Sequence, residues 1–155
     1  MIEVNEQIEV RSAPGIVWDL LSNPHAVVDC VPGAALGDAL EDGSFDATLT
    51  VKFGPAKVKF RARVAIELDM AAMTGNVTAR GKDNQGGTRI RATMSFRVTE
   101  QADPPGCAIP IAAQVEISGR LASIVESGAT LVVKRMTAEF SERLAARCAV
   151  TPGEA

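Results

Sequence analysis

Apolar and polar residues alternate along most of the first two thirds of the chain. In residues 2–11 the apolar side chains of Ile2, Val4, Ile8 and Val10 share one face, which predicts a strand with one buried side. The same period of two recurs over residues 45–53, 56–69, 77–79, 90–98 and 109–117. Turn-forming residues separate these segments at 41–43, 54–55, 70–75, 84–87 and 103–106. Connections this short predict an antiparallel sheet.

Helical patterns occur in three places. A short helix is predicted after the first strand, with Ser12 as its cap and Pro14 in its first turn. A second short helix is expected over residues 25–30. The third runs from about residue 120 to 148 and carries an apolar stripe at i, i+3, i+4 and i+7. At 1.5 Å per residue it is about 40 Å long, which is enough to cross a sheet.

The order of these elements predicts an α+β fold. The apolar face of the sheet must be covered, and only the long helix is large enough to cover it. The strand over residues 56–69 would be about 45 Å long, which fits a strongly twisted and curved sheet. Since a straight helix cannot touch a curved sheet everywhere, we expect an apolar gap between them.

Composition narrows the class of protein. The chain has 155 residues, of which 46% are hydrophobic, and this suits one domain with its own core. We expect that domain over residues 1–150 and a short disordered tail over 151–155. The net charge of −3 and the aromatic content of 4% argue against nucleic-acid binding. No apolar run reaches the roughly 18 residues of a membrane span.

Basic residues are concentrated locally. Along one predicted strand, apolar residues alternate with four basic residues, namely Lys57, Lys59, Arg61 and Arg63. We interpret them as the solvated face of that strand. The alternative is a landing patch for an acidic partner or an anionic membrane surface.

Residues that could support catalysis or bind metal are few. His25 is the only histidine, so a metal site, which needs three or four ligands, is not expected. His25 and Asp29 would share a helix face, whereas Cys30 would face elsewhere, which argues against a Cys-His nucleophile. Glu6 falls on the apolar face of the first strand. We expect an edge position there, with a buried acid as the alternative.

The cysteines indicate the compartment. Cys30, Cys107 and Cys148 are odd in number, far apart in the sequence and without a CxxC pair. This pattern is typical of small buried thiols in a reducing compartment. We therefore expect a cytoplasmic protein, with association at the cytoplasmic face of a membrane as a further option.

Several short motifs occur in a distinctive order. They are Cys30-Val31-Pro32-Gly33-Ala34, the segment from Val51 to Phe60 with its Val-Lys-x-Gly-Pro pattern, Gly86-Gly87, and Ser118-Gly119-Arg120-Leu121-Ala122. With Pro14 and Val17-Trp18, they resemble the CoxG family of carbon monoxide dehydrogenase subunits. That family belongs to the START-like, SRPBCC superfamily, and the resemblance covers residues 2–148.

The resemblance implies a helix-grip fold, in which a seven-stranded curved antiparallel sheet surrounds a long C-terminal helix and two short helices follow strand 1. It also implies an accessory role beside a molybdenum hydroxylase of the carbon monoxide dehydrogenase type, without a cofactor of its own. Family members are thought to help recruit that enzyme to the membrane. Longer members carry a membrane-seeking C-terminal extension. This sequence stops at Ala155, so we expect no anchor in it.

The leading hypothesis is a non-enzymatic carrier of a hydrophobic ligand, such as a quinone or a lipid. The ligand would lie between the sheet and the long helix. The residues predicted to line its site are Phe60, Met94, Phe96, Ile111, Ala113, Ile124, Val125, Gly128, Val132 and Met136.

Two other functions remain open. One is an enzyme of the cyclase or hydratase kind, acting on a small hydrophobic substrate. It would need a polar group in the cavity, for which Glu6, His25 and Asp29 are the candidates. The other is a protein-interaction module that uses the basic face at residues 57–63.

Overall fold

The computed structural model describes residues 2–53, 55–83, 87–120 and 122–148. The elements in these ranges are β1 (Ile2–Val10), α1 (Pro14–Leu21), α2 (Pro24–Cys30), β2 (Ala34–Ala39), β3 (Phe45–Phe53), β4 (Ala56–Asp69), β5 (Thr74–Asp83), β6 (Thr88–Arg97), β7 (Thr99–Gln101), β8 (Gly106–Gly119) and α3 (Ala122–Cys148). The predicted turn residues 54 and 84–86, helix residue 121 and the tail 151–155 lie outside the described residues.

The strands form one curved antiparallel sheet in the order β1-β8-β6-β5-β4-β3-β2, and β7 pairs with β8. Within the described residues there are therefore eight strands, where the sequence predicts seven. The extra strand arises because Val98 interrupts the ladder after β6. Its backbone N–H donates to the carbonyl of Met73 at 2.9 Å, and the next three residues pair with the start of β8.

The two short helices begin with different caps. The prediction that Ser12 caps α1 is wrong: the cap position is Ala13, which has no side-chain acceptor, and Pro14 follows it. In α2 the Asn23 side chain accepts from the backbone N–H of His25 at 3.0 Å. This cap satisfies an N–H group that has no partner within the helix. It also fixes the tight turn between α1 and α2.

Helix α3 lies across the inner face of the sheet and packs against β1, β3, β8 and both short helices. Two separate clusters of buried side chains hold it. The first joins the C-terminal end of α3 to β1, α1, α2, β6 and β8. Its members are Ile8, Val10, Val17, Trp18, Leu21, Cys30, Phe96, Val98, Cys107, Ile109, Leu144 and Cys148. The second joins the N-terminal half of α3 to β3 and β4 through Val51, Val58, Phe60, Val125 and Val132.

Gly33 explains one of the sequence motifs. It lies between α2 and β2 with a φ of +80°, a conformation that side chains rarely adopt. A Cβ there would collide with the carbonyl oxygen of Thr50. Instead, the Thr50 N–H donates to the Gly33 carbonyl at 2.9 Å. The Pro-Gly pair therefore lets α2 turn directly into the sheet.

Gly75 makes room for an aromatic ring. It lies opposite Phe96 in the β5–β6 ladder, and a Cβ at residue 75 would collide with two atoms of the Phe96 ring. On its other side the ring approaches Trp18, with centroids 6.3 Å apart and planes tilted by 42°. A Cβ at residue 75 would therefore force the ring to shift from this position.

We expect Gly75→Ala to destabilise the protein by about 1–3 kcal/mol, because it overpacks the first cluster. The matched control is Gly15→Ala, since Gly15 is exposed on α1 and nothing lies within 4 Å of its added Cβ. That control should be neutral or stabilising by up to about 1 kcal/mol. Urea unfolding followed by Trp18 fluorescence measures both. Equal effects of the two substitutions would contradict this account of Gly75.

Candidate functional site

A cavity of about 360 Å³ lies between α3, the short helices and the inner face of the sheet. It lies beneath the middle of α3, where Met136, Thr137 and Phe140 face it. Val132 and Leu144, on either side of this stretch, belong to the two separate buried clusters. The helix is thus held against the sheet toward both ends and stands off from it between them.

The wall of the cavity is almost entirely apolar. Its lining comprises Val4, Glu6, Ile8, Leu21, Ser22, Pro24, Val27, Val28, Val31, Leu36, Ala47, Val64, Ile66, Val77, Met94, Phe96, Ile109, Ile111, Ala113, Met136, Thr137 and Phe140. Among these described residues only Glu6, Ser22 and Thr137 have polar side chains. A concave apolar site with a few polar groups is the usual form of a small-molecule site.

The structure places half of the ten predicted residues in this lining. Those that line it are Met94, Phe96, Ile111, Ala113 and Met136. Phe60, Val125 and Val132 are instead packed together in the second cluster, because the N-terminal half of α3 touches the sheet there. Ile124 is 41% exposed, and the half-buried Gly128 lies outside the lining.

Sequence reasoning missed the contribution of the short helices. One side of the cavity is closed by Leu21 at the end of α1, by Val27 and Val28 on α2, and by Val31 just after α2. The apolar run Ala26-Val27-Val28 was a usable signal, since a short helix with several apolar positions must bury them against something. The pattern alone does not say whether that surface is a core or a cavity wall.

Glu6 is the carboxylate of the cavity wall. It lies on β1, at the edge of the sheet, and its side chain is half-buried on the inner face. The sequence left two interpretations of Glu6, an edge position or a side chain that faces inward. In the structure Glu6 has both properties. Among the described residues, no hydrogen bond or ion pair engages its carboxylate. A carboxylate in this setting is free to accept a hydrogen bond from a ligand.

The other candidate catalytic residues do not face the cavity. His25 and Asp29 are exposed, and Asp29 pairs instead with Arg147 of α3 at 3.1 Å. Cys30 is buried. Within the described residues, no group of three or more His, Cys, Asp or Glu side chains is arranged to hold a metal ion.

The three cysteines, far apart in sequence, meet in the first buried cluster. Burial raises the pKa of the Cys148 thiol from 9.0 to about 11. Burial also raises the pKa of Cys30 and Cys107. The thiolate is the reactive form of cysteine, so burial disfavours reaction of these thiols near neutral pH.

The sequence matches one protein-family model over most of its length. The model describes the CoxG subunit of carbon monoxide dehydrogenase and matches residues 7–149. The chain belongs to the CoxG family. None of the curated proteins compared with it matches. In the described part of this CoxG-family chain, every helix is too short or too polar to cross a membrane.

Solved structures resemble the CoxG-family chain in fold. A conserved protein from Geobacillus kaustophilus is 19% identical, with a TM-score of 0.81 over 96% of this chain and 95% of that one. The Zhui aromatase/cyclase from Streptomyces sp. R1128 is 13% identical, with a TM-score of 0.63 over 96% and 93%. A START superfamily protein from Mycobacterium smegmatis is 12% identical, with a TM-score of 0.60 over 92% and 96%. At these identities the likeness establishes a START-like fold.

We expect the thiols to resist labelling in the folded protein near pH 8 and to react fully in urea. Since the thiol pKa values are higher in the folded state, the unfolded chain releases its protons first as the pH rises. Stability should therefore be unaffected by the thiols below about pH 9 and should fall as the pH rises from about 9 to 11. Disulfide-exchange labelling and urea unfolding at several pH values measure these effects. Rapid labelling of native protein would contradict the assignment.

Proposed function

We propose that this CoxG-family protein is a non-enzymatic carrier that holds a hydrophobic ligand in the cavity beneath α3. The observation that supports the proposal is the cavity itself, about 360 Å³ in volume and almost free of polar side chains. Burial of apolar surface contributes about 25 cal/mol per Å² before the costs of association. An apolar wall gives such a ligand affinity but discriminates little between one hydrophobic ligand and another, because apolar contacts have no preferred direction.

The candidate ligands are a quinone and a lipid, and the proposed partner is a molybdenum hydroxylase of the carbon monoxide dehydrogenase type. The family assignment supports the partner, and the apolar wall supports both ligand classes. In this proposal the ligand contacts the five predicted residues that line the cavity, namely Met94, Phe96, Ile111, Ala113 and Met136. The remaining predicted residues act through packing, since they hold the N-terminal half of α3 or lie away from the cavity.

Ala113 and Ala112 offer a matched pair of substitutions. They are neighbours on β8, with Ala113 lining the cavity and Ala112 exposed on the other face of the sheet. We expect Ala113→Phe to fill part of the cavity and weaken decylubiquinone binding by at least about tenfold. Ala112→Phe adds the same side chain outside the cavity and should bind like the wild type.

Trp18 reports on this binding. It is the only tryptophan of the chain and lies beside Phe96, which lines the cavity. Quinone titration should therefore quench its fluorescence in the wild type and in Ala112→Phe, and much less in Ala113→Phe. Equal quenching in all three proteins would count against the cavity as the quinone site.

Mass spectrometry of an organic extract identifies the native cargo. The protein is purified from its own host under non-denaturing conditions, so that a bound molecule is retained. The carrier proposal expects a quinone or lipid in stoichiometric amount. A clean extract, together with no response to added quinone or fatty acid, would refute it.

Glu6 supports a second candidate, an enzyme of the cyclase or hydratase kind that acts on a small hydrophobic substrate. Its half-buried carboxylate faces an apolar site, which is a common setting for a general acid or base. An aromatase/cyclase among the solved structures has the same fold. The enzyme candidate needs Glu6 to accept a hydrogen bond from the bound molecule, and this contact can be tested directly.

We expect the cavity to prefer a naphthol over its methyl ether by about tenfold, because a hydrogen bond to a charged group contributes about 1.5–3 kcal/mol. Glu6→Leu should abolish that preference. Glu9→Leu, an exposed position on the same strand, should keep it. Competition against a bound fluorescent probe measures both ligands. If the wild type shows no preference, Glu6 does not contact the ligand.

A further inference from the structure

The face of the sheet opposite the cavity carries a dense array of cations. Residues of β3 to β6 that alternate with the inward-facing ones point outward, and many of them are basic. We call this surface the basic face. It comprises Lys52, Lys57, Lys59, Arg61, Arg63, Arg80, Lys82, Arg89 and Arg91, all of them exposed. The sequence indicates only the four on β4, because the others become neighbours through strand pairing.

The register of the ladders places these cations side by side. Two rows cross β4, β5 and β6, one formed by Arg61, Lys82 and Arg89 and the next by Arg63, Arg80 and Arg91. Directly paired residues have Cβ atoms about 4.5–5.5 Å apart, and like charges at that separation repel one another. Each row therefore places its central cation between two others, where a neutral residue would be more stable.

The array is only partly neutralised in the described part of the chain, where the carboxylate of Asp42 interacts electrostatically with Arg63. None of these side chains forms an ion pair or hydrogen bond there, although Asp46 and Glu116 flank the second row. The basic face holds nine of the sixteen Lys and Arg residues of a chain whose net charge is −3. The other seven cations are spread over the rest of a chain that has nineteen acids in all, so the positive charge is concentrated on this one face.

We propose that the basic face docks onto the acidic surface of a partner protein. Charge segregation of this kind steers association and orients the docked molecule. Nucleic acid fits less well, since among the side chains that the structure describes no aromatic ring lies between these cations to stack on bases. An acidic protein surface matches the pattern because its carboxylates can pair with guanidinium groups in fixed positions.

The position of the cavity favours a protein over a membrane. The sheet is a continuous ladder, so the cavity can open only on the helix side or at the rim of the sheet. A bilayer against the basic face would hold that opening away from the lipid, whereas a protein docked there leaves it accessible. The choice of a protein over a membrane as the partner rests on the proposed carrier function, but the existence of the basic face does not.

A charge-neutralised variant tests the proposal. It carries Arg63→Gln, Arg80→Gln and Arg91→Gln, and its matched control carries Lys134→Gln, Arg135→Gln and Arg143→Gln at exposed positions of α3. Immobilised polyglutamate serves as the acidic probe. We expect the basic-face variant to bind it at least about tenfold more weakly than the wild type, and the control to change by less than about twofold. Binding should weaken as salt is raised.

Two further measurements, of Tm and of quinone binding, distinguish failure of the docking proposal from failure of the carrier proposal. Arg80→Gln should have a higher Tm than the wild type at low salt, because it removes the cation of the second row that lies between Arg63 and Arg91 and leaves their carboxylate partners in place. The single variant Arg80→Gln, at the centre of that row, provides a smaller change that should weaken binding in the same direction. Decylubiquinone should still quench Trp18 in both variants as it does in the wild type. Absence of quenching in the wild type would instead count against the carrier proposal and would leave the polyglutamate result unaffected.

Equal binding of polyglutamate by the wild type and the basic-face variant would overturn the proposal. So would binding of the wild type to vesicles of phosphatidylcholine and phosphatidylglycerol with no affinity for polyglutamate, since the occupant would then be a membrane. Binding to single-stranded DNA in preference to polyglutamate would overturn it as well.

Discussion

The contact of a straight helix with a curved sheet at two separate places is the constraint on which the structure depends. Helix α3 spans 27 residues, or about 40 Å, and cannot follow the curvature of the strands beneath it. One buried cluster fixes its N-terminal half around Val132, and the other fixes its end around Leu144. The space between these contacts is the cavity, which is therefore a consequence of the fold.

The alternation of side chains along a strand gives the two faces of the same sheet different functions. On β4 the inward Val64 and Ile66 form cavity wall, while the outward Arg61 and Arg63 belong to the basic face. A ligand and a docked protein would thus occupy opposite sides of one hydrogen-bonded layer. Neither needs to displace the other, and the sheet holds both sites in a fixed relation.

Local patterns were sufficient to predict the long strands, the long helix and the inward face, since each depends on spacing along the chain, but they did not predict β7, which depends on pairing with β8. The cavity lining depends on which inward residues meet α3 and which do not. Phe60 and Met94 have the same inward alternation, yet one is packed in the second cluster and the other lines the cavity. That difference comes from curvature. The rows of the basic face depend on strand register, which is likewise set by distant partners.

An apolar void opposes stability, because the side chains around it lose packing contacts that a filled core would provide. Larger side chains at Ala47 or Ala113 could fill part of the void, and both residues are small. The two buried clusters offset this cost by fixing α3 on either side. A ligand that enters would regain contacts with the wall and stabilise the folded state in proportion to its occupancy. The same void that weakens the empty protein therefore gives binding its driving force.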